Sequence, residues 1–248
     1  MSEMPMRLHT LTRPLLAGLL TACLLAGFTA GSAAAAGAPA RMQATQELAV
    51  LLTDHAAHSA PEAGAPQVAL VPDTRPITGE QTTLPVLARR IGAGGAMWLQ
   101  VMLPGRPNGL TGWIAEAGTR SSVTPWRLIV NLGARRVTAY LNGRKAKSFS
   151  AVVGKPSTPT PSGQFFVEEV VRMGSKDPGG PIALALSARS NVFAEFEGGP
   201  GQIGIHGRDN LGGTLGHAES HGCVRLATSS IEWLAERVAG GTPVLIVG

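Results

Sequence analysis

The sequence predicts a mainly β protein, on three observations. Glycine and proline are abundant, 32 and 18 of 248 residues, so turns are frequent. The apolar residues, 44% of the chain, fall largely in short runs bounded by those turn formers. An Asn142-Gly143 pair stands between two alternating runs, the strongest short-range signal for a β-hairpin. A chain of this length buries a real core and has room for two modest domains.

The amino terminus reads as an address. Arg7 and Arg13 precede an apolar run from Leu15 to Ala30, followed by Ser32 and the Ala33 to Ala36 tract. A basic start, an apolar stretch too short to span securely and small residues after it describe an export signal over 1–36, cut near Ala36. A rival reading is that Leu20-Thr21-Ala22-Cys23 resembles a bacterial lipobox, which would make Cys23 a lipidated first residue. The apolar run continues through Leu24, Leu25 and Phe28, where lipoproteins usually turn polar. Cleavage near Ala36 leaves Cys223 as the one cysteine of the exported chain. Outside the cytoplasm cysteines come in pairs, so a solitary one reads as a reactive thiol or as half of an intermolecular bridge.

The formal net charge is +5, a mild and scattered excess. Its clusters (Arg89-Arg90, Arg135-Arg136, Arg144 to Lys147) carry no interleaved aromatics to stack bases, which argues against nucleic acid as a partner. Weak basicity suits attraction to an anionic cell envelope.

Residues 37–66 read as a short helix and a linker. Leu48, Leu51 and Leu52 have helical spacing between Arg41 and Ala57, and Ala56 to Pro66 is rich in alanine, proline and glycine. His55 and His58 are expected to be solvated there. Residues 67–118 read as small strands, Gln67 to Val71, Leu84 to Arg90, Met97 to Leu103 and Thr111 to Ala115. They are separated by turns such as Ala93-Gly94-Gly95 and Pro107-Asn108-Gly109. The runs around Trp98 and Trp113 resemble the Src-homology-type small β-barrels of bacterial wall proteins. That resemblance implies wall-peptide binding or the positioning of a neighbouring domain. Trp98 and Trp113 themselves read as core residues in preference to ligand platforms.

Ser121 to Pro125 reads as a second junction, opening a domain over 126–248. Its expected strands are Arg127 to Leu132, Arg136 to Leu141, Lys147 to Val153, Gln164 to Val171, Ile182 to Leu186, Asn191 to Phe196 and Gln202 to Ile205. Between two of them Gly154 to Gly163 holds three prolines, a stiffened loop. Its Gly-Lys pair opens no helix with Ser or Thr, so it is not a phosphate loop. Arg172 to Pro181 is a further Gly/Pro loop. Near the end, Ser229 and Glu232 have capping-box spacing, and Ile231, Leu234 and Val238 share a helix face until Gly240-Gly241. Pro243 to Val247 reads as a buried last strand.

The chemistry is concentrated in two pieces. Ile203-Gly204-Ile205-His206-Gly207 is a strand that delivers His206 to its end, and Ser220-His221-Gly222-Cys223-Val224-Arg225 sets a cysteine ahead of the helix. The glycine-rich stretch from Gly207 to Glu219 folds the chain back, which can bring His206 to Cys223. A cysteine attacks as its thiolate, and an adjacent imidazole favours that form by taking the proton. Gly222 is expected to keep the approach to sulfur open.

On His206-Gly207, the Ser220 to Arg225 block and Thr158-Pro159-Thr160-Pro161-Ser162-Gly163-Gln164-Phe165, the chain from about 126 to 248 resembles the catalytic domain of bacterial L,D-transpeptidases. The resemblance implies a mixed β-sandwich with one helix on its C-terminal side and the cysteine in a groove. It implies Cys223 as nucleophile and His206 as its proton partner. It also implies that Ser220, His221 and Gly222 shape the site and that Arg225 recognises substrate or supports the loop. Some members carry serine where this chain has Gly207, so no hydroxyl acts at that position. The implied reaction is acyl transfer between peptidoglycan stem peptides through a thioester, with D-alanine released, and acylation by carbapenems. The partners would be a donor and an acceptor stem, met by a monomer at the envelope, with no metal or other cofactor.

Three other readings compete. The same thiol could pass the acyl group to water, as a carboxypeptidase. His206, His217, His221 and Cys223 are ligand types for zinc, but His217-Ala218-Glu219-Ser220-His221 lacks the His-Glu-x-x-His order and a helix to carry it. The groove could also bind the wall without chemistry, although both Cys223 and His206 are present.

Overall fold

The computed structural model describes residues 43–196 and 198–248; the stretch expected to be an export signal, with Cys23, lies outside the described residues. Seven strands come first: β1 (Gln46–Leu51), β2 (His55–His58), β3 (Gln67–Val71), β4 (Thr83–Ile91), β5 (Met97–Met102), β6 (Thr111–Ala115) and β7 (Thr119–Thr124). They form one sheet in the order β3-β2-β6-β5-β4-β1-β7.

The second half supplies β8 (Trp126–Asn131), β9 (Arg136–Leu141), β10 (Arg144–Ser150), β11 (Val153–Gly154), β12 (Gly163–Arg172) and β13 (Ile182–Arg189). It continues with β14 (Gln202–Gly207), β15 (Ala218–Ser220), β16 (Val224–Leu226), helix α1 (Thr228–Ala235) and β17 (Pro243–Val247). Eight of these strands form a mixed sheet in the order β10-β9-β8-β17-β12-β13-β14-β16, and β11 pairs with β15 apart from it. The protein is mainly β, as its composition predicts.

The hairpin at Asn142-Gly143 forms as expected, with both residues at positive φ, 51° and 73°. Leu128, Phe165, Leu184, Ile205, Val224 and Leu234 are among the side chains that fill the core of the second half. Each contributes roughly 1.5–3 kcal/mol by leaving water. β17 lies inside the sheet, parallel to β8 and antiparallel to β12, which explains its unbroken apolar run. β14 pairs in parallel with β16, placing Ile205 opposite Val224 and His206 opposite Arg225. That pairing carries the residue just before β16, Cys223, to the side of β14.

Several expectations need correction. The helix expected over 41–57 is absent, because β1 and β2 occupy that stretch. β1 is buried on both faces: Ala49 and Leu51 join the core of the first sheet. Leu48 instead packs where a side chain at Gly241 would sit. Apolar residues on both faces erase the alternation that marks a strand. The expected linker begins inside β2, and the expected junction at 121–125 is mostly β7. His55 is buried, its ring nitrogens on the Thr53 and Ala117 carbonyls at 2.7 and 3.0 Å. His58 is half-buried, with Nδ1 2.8 Å from the Ala65 carbonyl and its ring edge-on to Trp98. Trp98 and Trp113 are both buried.

The strand expected over 147–153 is broken, since β10 stops at Ser150 and β11 turns to a different partner. Asn191 to Phe196 forms no strand; it is a bent loop in which the Phe193 carbonyl accepts from an arginine and Phe196 makes a local bridge to Gly199. The capping box does not form either. Ala227 occupies the N-cap, and Thr228 Oγ1 donates to the Asp209 carboxylate. Ile231, Leu234 and Val238 are buried as the spacing predicts.

The first sheet also touches the second. Phe166 of β12 belongs to the core of the first sheet. Glu168, fully buried, pairs with Arg75 from the β3–β4 loop and with Arg189 at 2.8 Å. Burial holds both guanidinium groups below their ordinary range. Glu169 accepts two bonds from Thr78, from its N–H and its hydroxyl, each 3.0 Å.

Candidate active site

Strand periodicity sets which residues face the cavity. Along β14 the odd positions Ile203 and Ile205 are buried in the core, while Gln202, Gly204 and His206 turn to the other face. Cys223 meets that second face. The Gly204 N–H donates to its sulfur at 3.4 Å, and the Gln202 carbonyl lies 4.0 Å away, positioned to accept from S–H. The same pocket of backbone therefore serves the thiolate through a donor and the thiol through an acceptor. A Cβ at Gly204 would stand 3.7 Å from His206 Cδ2, in ordinary contact with the imidazole.

His206 is oriented from behind. Its Nδ1 is 2.6 Å from the Gly207 carbonyl. A carbonyl can only accept, so Nδ1 carries the hydrogen and Nε2 is the basic nitrogen of the neutral ring. Two glycines permit this placement. A Cβ at Gly179, whose φ is +82°, would fall 2.4 Å from Nδ1, and one at Gly207 would fall 2.4 Å from the Gly180 carbonyl. A serine at 207 would thus require the 173–181 loop to move.

The turn before Cys223 is tied internally and to the proline loop. Ser220, fully buried, donates to the Cys223 carbonyl at 2.5 Å and accepts from the Gly222 N–H at 3.1 Å. The buried Thr158 and Thr160 donate to the Ser220 and Gly222 carbonyls at 3.2 and 2.7 Å. The Lys155 N–H adds a third bond, 3.0 Å to the Ser220 carbonyl. Gly222 takes φ +126°, and a Cβ there would approach Ile203 Cδ1 to 3.0 Å. Its glycine is required by backbone conformation and core packing. Its N–H is also already engaged.

A cavity of about 840 Å³ opens in front of these groups and is lined by Cys223, His206, Gln202, His221 and Arg225. Phe193, Phe196, Met173 and Leu211 give it an apolar wall, joined by Ile77 from the β3–β4 loop. His221 is exposed, stacks on Phe196 with centroids 6.0 Å apart, and lies 3.3 Å from Lys155 Nζ. Arg225 donates to the Leu211 and Gly212 carbonyls at 3.3 and 3.4 Å, tying down the loop between β14 and β15.

Of the residues singled out in the sequence, Cys223, His206, His221 and Arg225 thus share one cavity, while Ser220, Gly222 and Gly207 stand behind it as supports. Gly204, Gln202, Gly179, Thr158 and Thr160 were missed as members of the site. The pairing of small residues with a strand-borne histidine was the available signal for the glycines. His217 is exposed on the loop before β15, and no group of three His, Cys, Asp or Glu side chains among the described residues is arranged to hold a metal ion.

The family model for the L,D-transpeptidase catalytic domain matches residues 125–246. The YkuD protein of Bacillus subtilis is 31% identical over 157 residues, which cover 62% of this chain and 78% of that one. L,D-transpeptidase 1 of Mycobacterium tuberculosis is 30% identical over 128 residues, 48% of this chain and 49% of its own length. Among solved structures, the catalytic domain of the Enterococcus faecium L,D-transpeptidase is similar at 25% identity and a TM-score of 0.37, covering 49% of this chain and 96% of that one. L,D-transpeptidase 3 of Mycobacterium tuberculosis, in complex with a faropenem-derived adduct, is similar at 15% identity and a TM-score of 0.44, covering 80% and 95%.

Proposed function

Because the chain belongs to the L,D-transpeptidase catalytic-domain family, we propose that it is an exported enzyme that crosslinks peptidoglycan stem peptides through a thioester on Cys223. The observation that supports this best is the shared face of β14. There Cys223 sulfur meets the Gly204 N–H, and His206 presents Nε2 because Nδ1 is held by the Gly207 carbonyl.

In this mechanism Nε2 takes the thiol proton, and the thiolate attacks the carbonyl between the stem's diamino acid and its terminal D-alanine. The imidazolium then gives its proton to the departing amine of D-alanine, leaving the acyl group on sulfur. An amine from a second stem attacks the thioester, loses its proton to Nε2 and returns the thiol. Developing charge on the carbonyl oxygen needs backbone donors. Gly222 N–H, engaged with Ser220 Oγ, is not available without rearrangement. Whether an amine or water takes the acyl group depends on the shape of the acceptor side of the cavity, which the stem-peptide assay below reads directly.

The test is incubation of the purified protein with tetrapeptide stems, followed by mass spectrometry. Crosslinked dimers and an acyl adduct on Cys223, both absent from Cys223→Ala, are expected. Tripeptide alone would mean that water is the acceptor, and dimer formation by Cys223→Ala would refute the thiol mechanism. One adduct on Cys223 after exposure to meropenem is a further expected result.

A further inference from the structure

The loop between β13 and β14, residues 190–201, carries Phe193 and Phe196 to the rim of the cavity, where both rings pack near His221. Little of it is held by β pairing: a Phe196–Gly199 bridge and a 2.7 Å bond from the Ser190 N–H to the Gly201 carbonyl. Three of its other carbonyls converge on one side chain from the first sheet. Arg106, in the turn between β5 and β6, donates to the Ser190, Phe193 and Pro200 carbonyls at 2.8, 2.7 and 2.8 Å. The loop approaches this exposed guanidinium closely on one side: a Cβ at Gly201 would fall 2.2 Å from the Phe193 carbonyl and 3.2 Å from Arg106 Nη2. Two residues on, Asn108 pairs with the base of the loop. Its amide donates to the Arg189 carbonyl and accepts from the Arg189 N–H, both at 2.8 Å.

We propose that Arg106 is a positioning residue through which the first sheet latches the 190–201 loop over the cavity and so sets how tightly a stem peptide is held. A planar guanidinium with five donors can serve three converging carbonyls at once; a lysine ammonium reaches fewer of them and fixes no plane. The chemistry stays on His206 of β14 and on Cys223 just before β16, while Arg106 bonds the loop, so the latch acts on binding and not on bond making. The kinetic consequence rests on the crosslinking function proposed above; the geometric one does not.

The experiment compares the full chain with Arg106→Ala, Arg106→Lys and Asn108→Ala, with thermal unfolding recorded for each. Cys223 is labelled in parallel with iodoacetamide and with a fluorescein maleimide. Releasing the loop widens the cavity mouth, so Arg106→Ala is expected to speed the bulky reagent about fivefold while iodoacetamide changes less than about twofold. For the tetrapeptide stem, KM should rise about tenfold with kcat held within about threefold, and lysine should restore only part of the difference. An unchanged ratio of labelling rates in folded Arg106→Ala overturns the latch, as does a fall in kcat at constant KM. Should the alanine variant fail to fold, the same criteria apply to Arg106→Lys and Asn108→Ala. If Cys223→Ala keeps crosslinking activity, the crosslinking mechanism fails, and the labelling ratio still decides the latch.

Discussion

The two walls of the cavity are built on different principles. The inner wall is sheet: β14 and β16 in register, with thiol and imidazole each set by backbone atoms of the same strand. The outer wall is loop, with Phe193 and Phe196 carried on a segment that borrows its anchor from the first sheet. Groups that must meet within tenths of an ångström stand on a ladder that cannot shift one residue without flipping every side chain. Groups that greet a variable substrate stand on a loop, where rearrangement costs less.

If this division holds, the largest losses follow from the inner wall. Cys223→Ala should abolish acyl transfer, and His206→Ala should lower kcat by about 10²–10⁴ with little change in KM, measured on tetrapeptide stems. A comparable fall in kcat from an outer-wall residue such as Phe196 would break the distinction.

Next comes the anchor beneath the inner wall. Gln202, whose carbonyl faces the sulfur, bonds Glu168 through its side-chain amide at 3.1 Å, and Glu168 is held by Arg75 and Arg189. Glu168→Ala would leave two arginines buried without their carboxylate, at a cost of about 3–5 kcal/mol. For a chain of this size, thermal unfolding should register that as a drop of about 10 °C. A drop of only a degree or two would mean that β14 is anchored by packing alone.

Gly179→Ala sharpens the same point. Its Cβ would collide with His206 Nδ1 and sit at a φ that non-glycine residues rarely adopt. The ring must then turn away from the Gly207 carbonyl. A fall in kcat of about tenfold to a hundredfold is expected, and retention of parental kcat would show that the tautomer is not held by that carbonyl.

The candidate site was more legible in the sequence than the scaffold of the first sheet. Cysteine and histidine are scarce and their flanking residues specific, so Cys223 and His206 stand out from spacing and composition. Strands such as Thr111–Ala115 and Pro243–Val247 were bounded by turn formers and fell where expected. β1 was misread because Leu48, Leu51 and Leu52 fit a helical face while burial on both sides removed the strand's alternation. Asn191 to Phe196 was misread for the opposite reason: its phenylalanines line a cavity, and among the described residues it pairs with no strand. Arg106 gave no signal, because a lone arginine in a turn acquires meaning only when distant carbonyls converge on it.

The smallest expected effect separates support from chemistry within one turn. Thr160 Oγ1 donates to the Gly222 carbonyl at 2.7 Å and accepts from the Gly154 N–H at 2.9 Å, so it clamps the nucleophile's turn to the proline loop. Thr160→Val keeps the shape, removes the hydroxyl and leaves a buried donor and a buried acceptor unsatisfied, costing about 1–3 kcal/mol. Because the clamp acts on the Gly222 carbonyl and touches no reacting atom, stability should fall while kcat/KM of the folded fraction changes by less than about threefold. Urea unfolding alongside steady-state kinetics reads both. A loss in kcat larger than the loss in stability would move Thr160 from the supports of the inner wall into its chemistry, because the turn would then be aiming the sulfur and not merely holding its place.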